Sequence, residues 1–211
     1  MKHQMIFGVP MFRYHLDPTE LRKIAEQKFE EWNKVPINEA PPGWDCSLRT
    51  EFHNCEKNEY KHYYDDIMVQ FARDIELEEG RCNIYESWLN FYTAGQNQEE
   101  HDHLPGFYAA CHFIKFNPEI HSSTRFVNPL YSLYSYQHKD MDRLNTPEYR
   151  SHHWFPDVVE GDIIIFPSWL RHMVTAQDSK EYRITLAFNT CLETTADLYP
   201  SGPIIPSLIS I

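Results

Sequence analysis

The amino-acid sequence predicts an α+β fold, with helices first and then an antiparallel barrel or sandwich of short strands. Two features carry the prediction. Apolar residues recur with helical spacing in the first eighty residues, and after Gly80 the spacing changes to alternation in two. Glycines, prolines and polar clusters then cut the remainder into strand-length pieces. Helices segregated from a run of strands mark α+β architecture. At 211 residues and 42% apolar content, the chain fits one domain with a filled core. The expected division is a mainly helical part over 1–80, a strand core over 81–192 and a tail over 193–211.

Taken in order, Asp17 caps the first helix, Pro18 takes its first position and Glu20 lies three residues after the cap. Leu21, Ile24, Ala25, Phe29 and Trp32 follow at helical spacing, and Pro36 and Pro41-Pro42 end the element. A second helix is expected over 58–77, with Tyr60, Tyr64, Ile67, Met68, Phe71 and Ile75 on one face. Strand periodicity begins at 83–93, where Ile84, Trp88, Asn90 and Tyr92 share a face and Tyr85, Leu89 and Phe91 share the other. Residues 107–116 are apolar on both faces, which makes that strand central. A weaker strand covers 123–128, and the Gly161-Asp162 turn opens a buried one over 163–166. Residues 173–176 and 182–189 read as a hairpin-like pair around the polar turn 177–180. The polar, unpatterned stretch 135–156 reads as a long loop, either a lid or disordered.

Charge and cysteine usage exclude several classes. Nineteen Lys and Arg against thirty-one Asp and Glu leave a formal charge of −12. Nucleic-acid and anionic-membrane binders need clustered cations, so neither partner is expected. One well-placed Arg still suffices for an anionic small molecule. Cys46, Cys55, Cys82, Cys111 and Cys191 are far apart and form no C-x-x-C pair, which speaks against a disulfide framework or a thiolate zinc knuckle. Residues 1–13 lack the apolar stretch of a signal peptide, and no apolar run approaches the roughly 20 residues of a membrane span. The expected setting is cytoplasmic. The apolar, proline-containing segment 200–211 docks on its own domain or on a second copy of the chain, so a homodimer is one of two expectations.

Among twelve histidines, His101, His103 and His172 stand out. Residues i and i+2 of a strand point the same way, so His101 and His103 can reach one ion while Asp102 points away. A third imidazole from another strand, His172, would complete one side of a metal and leave the opposite positions open, as catalysis requires. His152-His153 reads as surface loop and His112 as a hydrogen-bonded core residue. Arg183 alternates with apolar Tyr182, Ile184, Leu186 and Phe188, and so shares a face with Thr185, Ala187 and Asn189. A cation on the inside of a barrel needs an anion, and a guanidinium fork matches a carboxylate. The reading is a small carboxylated ligand between Arg183 and a metal.

The run Trp88-x-Asn90-x-Tyr92-x-x-Gly95-x-x-Gln98-x-x-His101-x-His103, with Gly106-Phe107-Tyr108 after it, resembles the metal-binding half of the 2-oxoglutarate/Fe(II)-dependent oxygenases of bacteria and phages. Glu160 to Ser168, His172-x-Val174 and Tyr182 to Asn189 resemble the second half. The resemblance implies a double-stranded β-helix (jelly-roll) core, Fe(II), 2-oxoglutarate as cosubstrate and O2. It implies His101, His103 and His172 as metal ligands and Arg183 on the distal carboxylate, helped by Thr185 or Tyr92. Asn90 would serve the metal-bound end, and Asn189 belongs to the same expected cosubstrate group. The implied reaction yields succinate and CO2 and oxidises a small-molecule or peptide substrate, most simply by hydroxylation. Most such enzymes carry H-x-D or H-x-E, so here Asp102 or water in place of His103 stays open. Trp88, Trp169 and Phe188 are candidate dry walls or core residues. Two other readings use the same histidines: a three-histidine cupin enzyme of thiol-dioxygenase type, and a non-catalytic zinc domain.

Overall fold

The computed structural model describes residues 2–6, 8–32, 48–54, 58–78, 80–131 and 151–193. Eleven strands among them form two antiparallel sheets. They are β1 (Lys2–Ile6), β2 (Val9–His15), β3 (Arg49–Asn54), β4 (Arg81–Tyr92), β5 (Gln98–His101), β6 (Tyr108–Lys115), β7 (Thr124–Val127), β8 (His153–Trp154), β9 (Asp162–Pro167), β10 (His172–Val174) and β11 (Arg183–Glu193). The larger sheet runs β1-β2-β9-β6-β11-β4-β3 and the smaller β5-β10-β7-β8. Helices α1 (Thr19–Trp32) and α2 (Asp65–Asp74) complete the set.

Sidedness follows from strand alternation. In β9, Ile163 and Ile165 join the apolar cluster that also holds Leu21, Phe29 and Phe71 from the helices, whereas Ile164 and Phe166 face the smaller sheet with Phe126 and Leu170. In β11, Ile184, Leu186 and Phe188 face the helices. Each large side chain buried this way stabilises the fold by about 1.5–3 kcal/mol. Helix α1 starts where expected, because the Asp17 carboxylate accepts hydrogen bonds from the Thr19 N–H (3.0 Å) and hydroxyl (2.6 Å). Phe29 on its inner face stacks on Phe91 and Tyr182, at 5.2 Å and 4.5 Å between ring centroids.

Several expectations are corrected. The first eighty residues are not mainly helical, since β1, β2 and β3 lie among them and extend both ends of the larger sheet. Strand β2 escapes the alternation signal because it is buried on both faces, Met11 toward the smaller sheet and Phe12 and Tyr14 toward the helices. Strand β3 is a polar strand at the sheet's end and forms through its pairing with β4. The single helix over 58–77 is a 3₁₀ turn, Lys61–Tyr64, followed by α2. The expected hairpin is absent: β10 pairs with β5 and β7, β11 pairs with β4 and β6, and residues 175–182 carry the chain between sheets. His153 lies in β8, paired with Val127, and not in a surface loop. The rest of the expected loop up to residue 150, and the tail beyond residue 193, lie outside the described residues.

A β-bulge in β4 also changes its faces. Asn189 pairs with Glu86 but Thr190 with Ile84, which leaves Tyr85 as the extra residue. Ile84 therefore joins Leu89 and Phe91 under the helices instead of sharing a face with Trp88. No helix among the described residues is long and apolar enough to cross a membrane.

His112, on the helix side of β6, is fully buried, with Nδ1 2.9 Å from the Tyr64 hydroxyl. Burial lowers its pKa to about 4. The folded protein thus keeps it neutral below the ordinary value of 6.5, while the unfolded chain takes up a proton. Stability from this group is complete above pH 6.5 and falls away as the pH drops toward 4, by on the order of 3 kcal/mol. Urea unfolding of the metal-free protein over that range should show a shallower pH dependence in His112→Gln than in wild type; parallel curves would contradict the assignment.

Candidate active site

The smaller sheet builds a cluster of three imidazoles. His172 in β10 lies directly opposite His101 in β5, so two residues far apart in sequence become cross-strand partners. His103 follows just after β5, its N–H donating to the Ser168 carbonyl (2.8 Å) and its carbonyl accepting from the Gly106 N–H (2.8 Å). One ring nitrogen from each of the three lies within 4.8 Å of the others. His101 Nδ1 is 2.8 Å from the Glu99 carbonyl, and His172 Nδ1 is 2.9 Å from that of Leu170. A carbonyl only accepts, so both Nδ1 atoms carry the proton and both Nε2 atoms present lone pairs.

His172 Nε2 stands 3.2 Å from His103 Nε2, a separation that needs a proton or a cation between the two lone pairs. Burial, with the neighbouring imidazoles adding to it, lowers the pKa of His103 to about 3 and holds that of His172 well below 6.5. These two rings are therefore neutral at pH 7, the form in which imidazole binds a metal. Three nitrogen donors with open positions fit a catalytic first-row metal, iron included. Asp102 is exposed and its Oδ1 accepts from the Leu104 N–H (3.2 Å), outside this cluster.

A cavity of about 320 Å³ opens from the histidines toward the inner faces of β4 and β11. Arg183 lines it at 1% exposure, its guanidinium 4.0 Å from the centroid of the Tyr92 ring. It donates to the Ser122 carbonyl through one terminal nitrogen, and its Nε has no partner. No carboxylate among the described residues pairs with it. A buried guanidinium without a counter-charge is costly, so the structure presents a socket for an anion. Tyr92 donates to Gln98 (2.8 Å), and Thr185 and Asn90 line the same space, with Asn90 Oδ1 buried and unpartnered. The strands thus bring together His101, His103, His172, Arg183, Tyr92, Asn90 and Thr185.

Asn189 is different. It lines the cavity, but six residues along β11 from Arg183, roughly 20 Å at strand rise. Its amide Nδ2 donates to Glu86 (2.7 Å). It cannot share one small carboxylate with Arg183, which corrects its expected place in the cosubstrate group. Trp88 lines the cavity against His103 (5.5 Å between centroids), one of the two roles considered for it. Phe188 packs under the helices and Trp169 is 46% exposed, so neither lines the cavity. Tyr85 and Glu86 were missed as site residues: the bulge that turns Tyr85 toward the cavity has no sequence signal, whereas Glu86 shares the face of Trp88 and Asn90 by plain alternation and could have been found.

Residues 86–189 match the model of a family described as "Putative 2OG-Fe(II) oxygenase". Over that span the chain carries a 2OG-Fe(II) oxygenase domain. It is an Fe(II)- and 2-oxoglutarate-dependent oxygenase that uses O2. A search of curated protein sequences gives no match. Among solved structures, a Pseudomonas putida prolyl-4-hydroxylase is similar at 12% identity over 85% of this chain and 91% of that one, with a TM-score of 0.56. EctD from S. alaskensis, in its apo form, gives 14% over 87% and 75%, with 0.59. HygX from Streptomyces hygroscopicus, solved with nickel and 2-oxoglutarate, gives 13% over 92% and 91%, with 0.55. These likenesses establish the double-stranded β-helix fold. The cupin and zinc-domain readings fall with the family assignment.

Gly106 places His103 in this oxygenase. A Cβ at this position would meet the His103 carbonyl at 2.8 Å and the Tyr85 hydroxyl at 3.2 Å. Gly106→Ala should therefore lower stability by about 1–3 kcal/mol and weaken metal uptake, as followed by thermal melting and metal titration. Wild-type values in both would show that the turn yields without moving His103.

Proposed function

We propose that the chain is a hydroxylase of a small molecule or a peptide side chain, with Fe(II) held by His101, His103 and His172 and 2-oxoglutarate held through Arg183. One observation carries the reading: three imidazoles converge at a cavity that also contains a buried guanidinium lacking a carboxylate partner among the described residues. When bound there with 2-oxoglutarate, Fe(II) supplies the O2 chemistry that couples decarboxylation to succinate and CO2 with oxidation of a substrate C–H bond.

The chain's own residues bind, orient and keep water out. The Glu99 and Leu170 carbonyls lock the His101 and His172 rings in the tautomer that leaves Nε2 free. Arg183 offers its planar fork to the distal carboxylate of 2-oxoglutarate, and the Tyr92 ring fixes the plane of that fork. Thr185 adds a hydroxyl beside it, and Asn90 serves the metal-bound end of the ligand. Trp88, Phe166 and Phe126 surround the imidazoles with apolar rings, so charged groups inside interact through a medium poorer in water. Because all three ligands are neutral, the protein adds no negative charge at the metal, which favours a dianionic cosubstrate. The acidic charge balance and the cavity's size support a small substrate over a nucleic acid.

Under anaerobic conditions with ascorbate, Fe(II) and 2-oxoglutarate should give a weak visible charge-transfer band that His101→Ala and His172→Ala abolish. Asp102→Ala should keep it; loss of the band in that variant, with His103→Ala unaffected, would move the second ligand to Asp102. Arg183→Ala should weaken 2-oxoglutarate binding roughly 100-fold. Unchanged affinity in that variant would refute the cosubstrate site.

A further inference from the structure

The cavity has a second polar end, opposite in character to the first. Alternation places Glu86 on the face of Trp88 and Asn90, the β4 bulge adds Tyr85 to the lining, and register sets Glu86 across from Asn189. Asn189 Nδ2 donates to Glu86 Oε1 at 2.7 Å, and the Tyr85 hydroxyl contacts both residues. A carboxylate accepts hydrogen bonds, so this bond fixes the Asn189 amide with Oδ1 as the remaining acceptor. That oxygen is buried, in a side chain 3% exposed, and has no partner. Glu86 has no Lys, Arg or His in ion-pair contact among the described residues. Glu99, whose Oε2 is buried without a partner, and Asp102 bring two more carboxylates to the same lining. Among the described residues, Arg183 is the only Lys or Arg in that lining, and it lies about six strand residues away.

From this we propose that the Tyr85–Glu86–Asn189 end recognises a protonated amine or guanidinium on the substrate. The assignment rests on the reading of Arg183 and the histidines as the cosubstrate and metal sites. With 2-oxoglutarate drawn to Arg183, Trp88 beside His103 marks the space between the two poles, and Glu86 lies two residues beyond it on β4. A substrate at that end meets the Glu86 carboxylate and Asn189 Oδ1, with no Lys or Arg beside them among the described residues of the lining. A cation with N–H donors satisfies both the Glu86 carboxylate and Asn189 Oδ1, whereas a carboxylated substrate would add a like charge. The volume of about 320 Å³ suits a free amine or one basic side chain.

The test uses full-length protein loaded with redox-inert Ni(II) and 2-oxoglutarate, titrated calorimetrically with 1,5-diaminopentane, 1-pentanol and pentanoate. The diamine should bind roughly tenfold or more tightly than the alcohol, and pentanoate should not bind. Glu86→Gln should weaken the diamine roughly tenfold while leaving 2-oxoglutarate affinity unchanged. An acetyl-Gly-Lys-Gly-amide peptide, compared with the diamine, separates a side-chain substrate from a free amine; preferential binding of either supports the proposal. Equal binding of alcohol and diamine, no diamine binding at millimolar concentration, or an unaltered Glu86→Gln would overturn it. The wild-type ranking stands even if the variant fails to fold. Failure of 2-oxoglutarate to bind wild-type protein, measured without amine, would instead overturn the cosubstrate reading.

Discussion

Strand β11 is the constraint on which the site depends. It lies between β4 and β6, so its backbone hydrogen bonds are satisfied on both sides and its alternation cannot slip. A shift by one residue would drive Arg183 under the helices and Leu186 into the cavity. Its outer face, Ile184, Leu186 and Phe188, is held by the helical layer. That apolar burial offsets the cost of holding a guanidinium on the inner face with no carboxylate beside it. Pairing with β4 sets the Tyr92 ring against Arg183 at one end and Glu86 against Asn189 at the other.

The smaller sheet does a different task with little material. Strands β5, β7 and β10 are only three or four residues long, yet β10 aligns His172 with both His101 and Phe126. Ring orientation comes from carbonyls two residues upstream of His101 and of His172, so the local chain fixes each tautomer without a carboxylate. His103 is placed by a turn, held by the Ser168 carbonyl and kept tight by Gly106.

The electrostatics follow from this economy. The protein carries a formal charge of −12, but one end of its cavity is cationic. Acidic groups collect at the other end and over the surface, where Glu26, Glu51 and Glu160 meet Arg22, Lys28 and Lys115. Anion and cation recognition are thus separated along one strand pair, which lets a single cavity take two ligands of opposite charge.

Much of this was legible in the sequence. The alternation of β11 identified Arg183 and its face-mates, because a strand buried on one side by apolar residues has only one other face. The H-x-H spacing pointed to His101 and His103 together, although His103 reaches the cluster from the turn after β5 and not by strand alternation, and the motif order carried the family. The sequence could not show that β2 belongs to the sheet, since a short strand buried on both faces has no periodicity to read. Nor could it tell that 173–176 and 182–189 part into different sheets, because strand partners are chosen by long-range packing. The convergence of His172 on His101, the bulge that turns Tyr85 toward the cavity, and the register that ties Asn189 to Glu86 were decided only in three dimensions. Residue type and spacing set which chemistry the chain can perform; register between distant strands decides which of those residues meet.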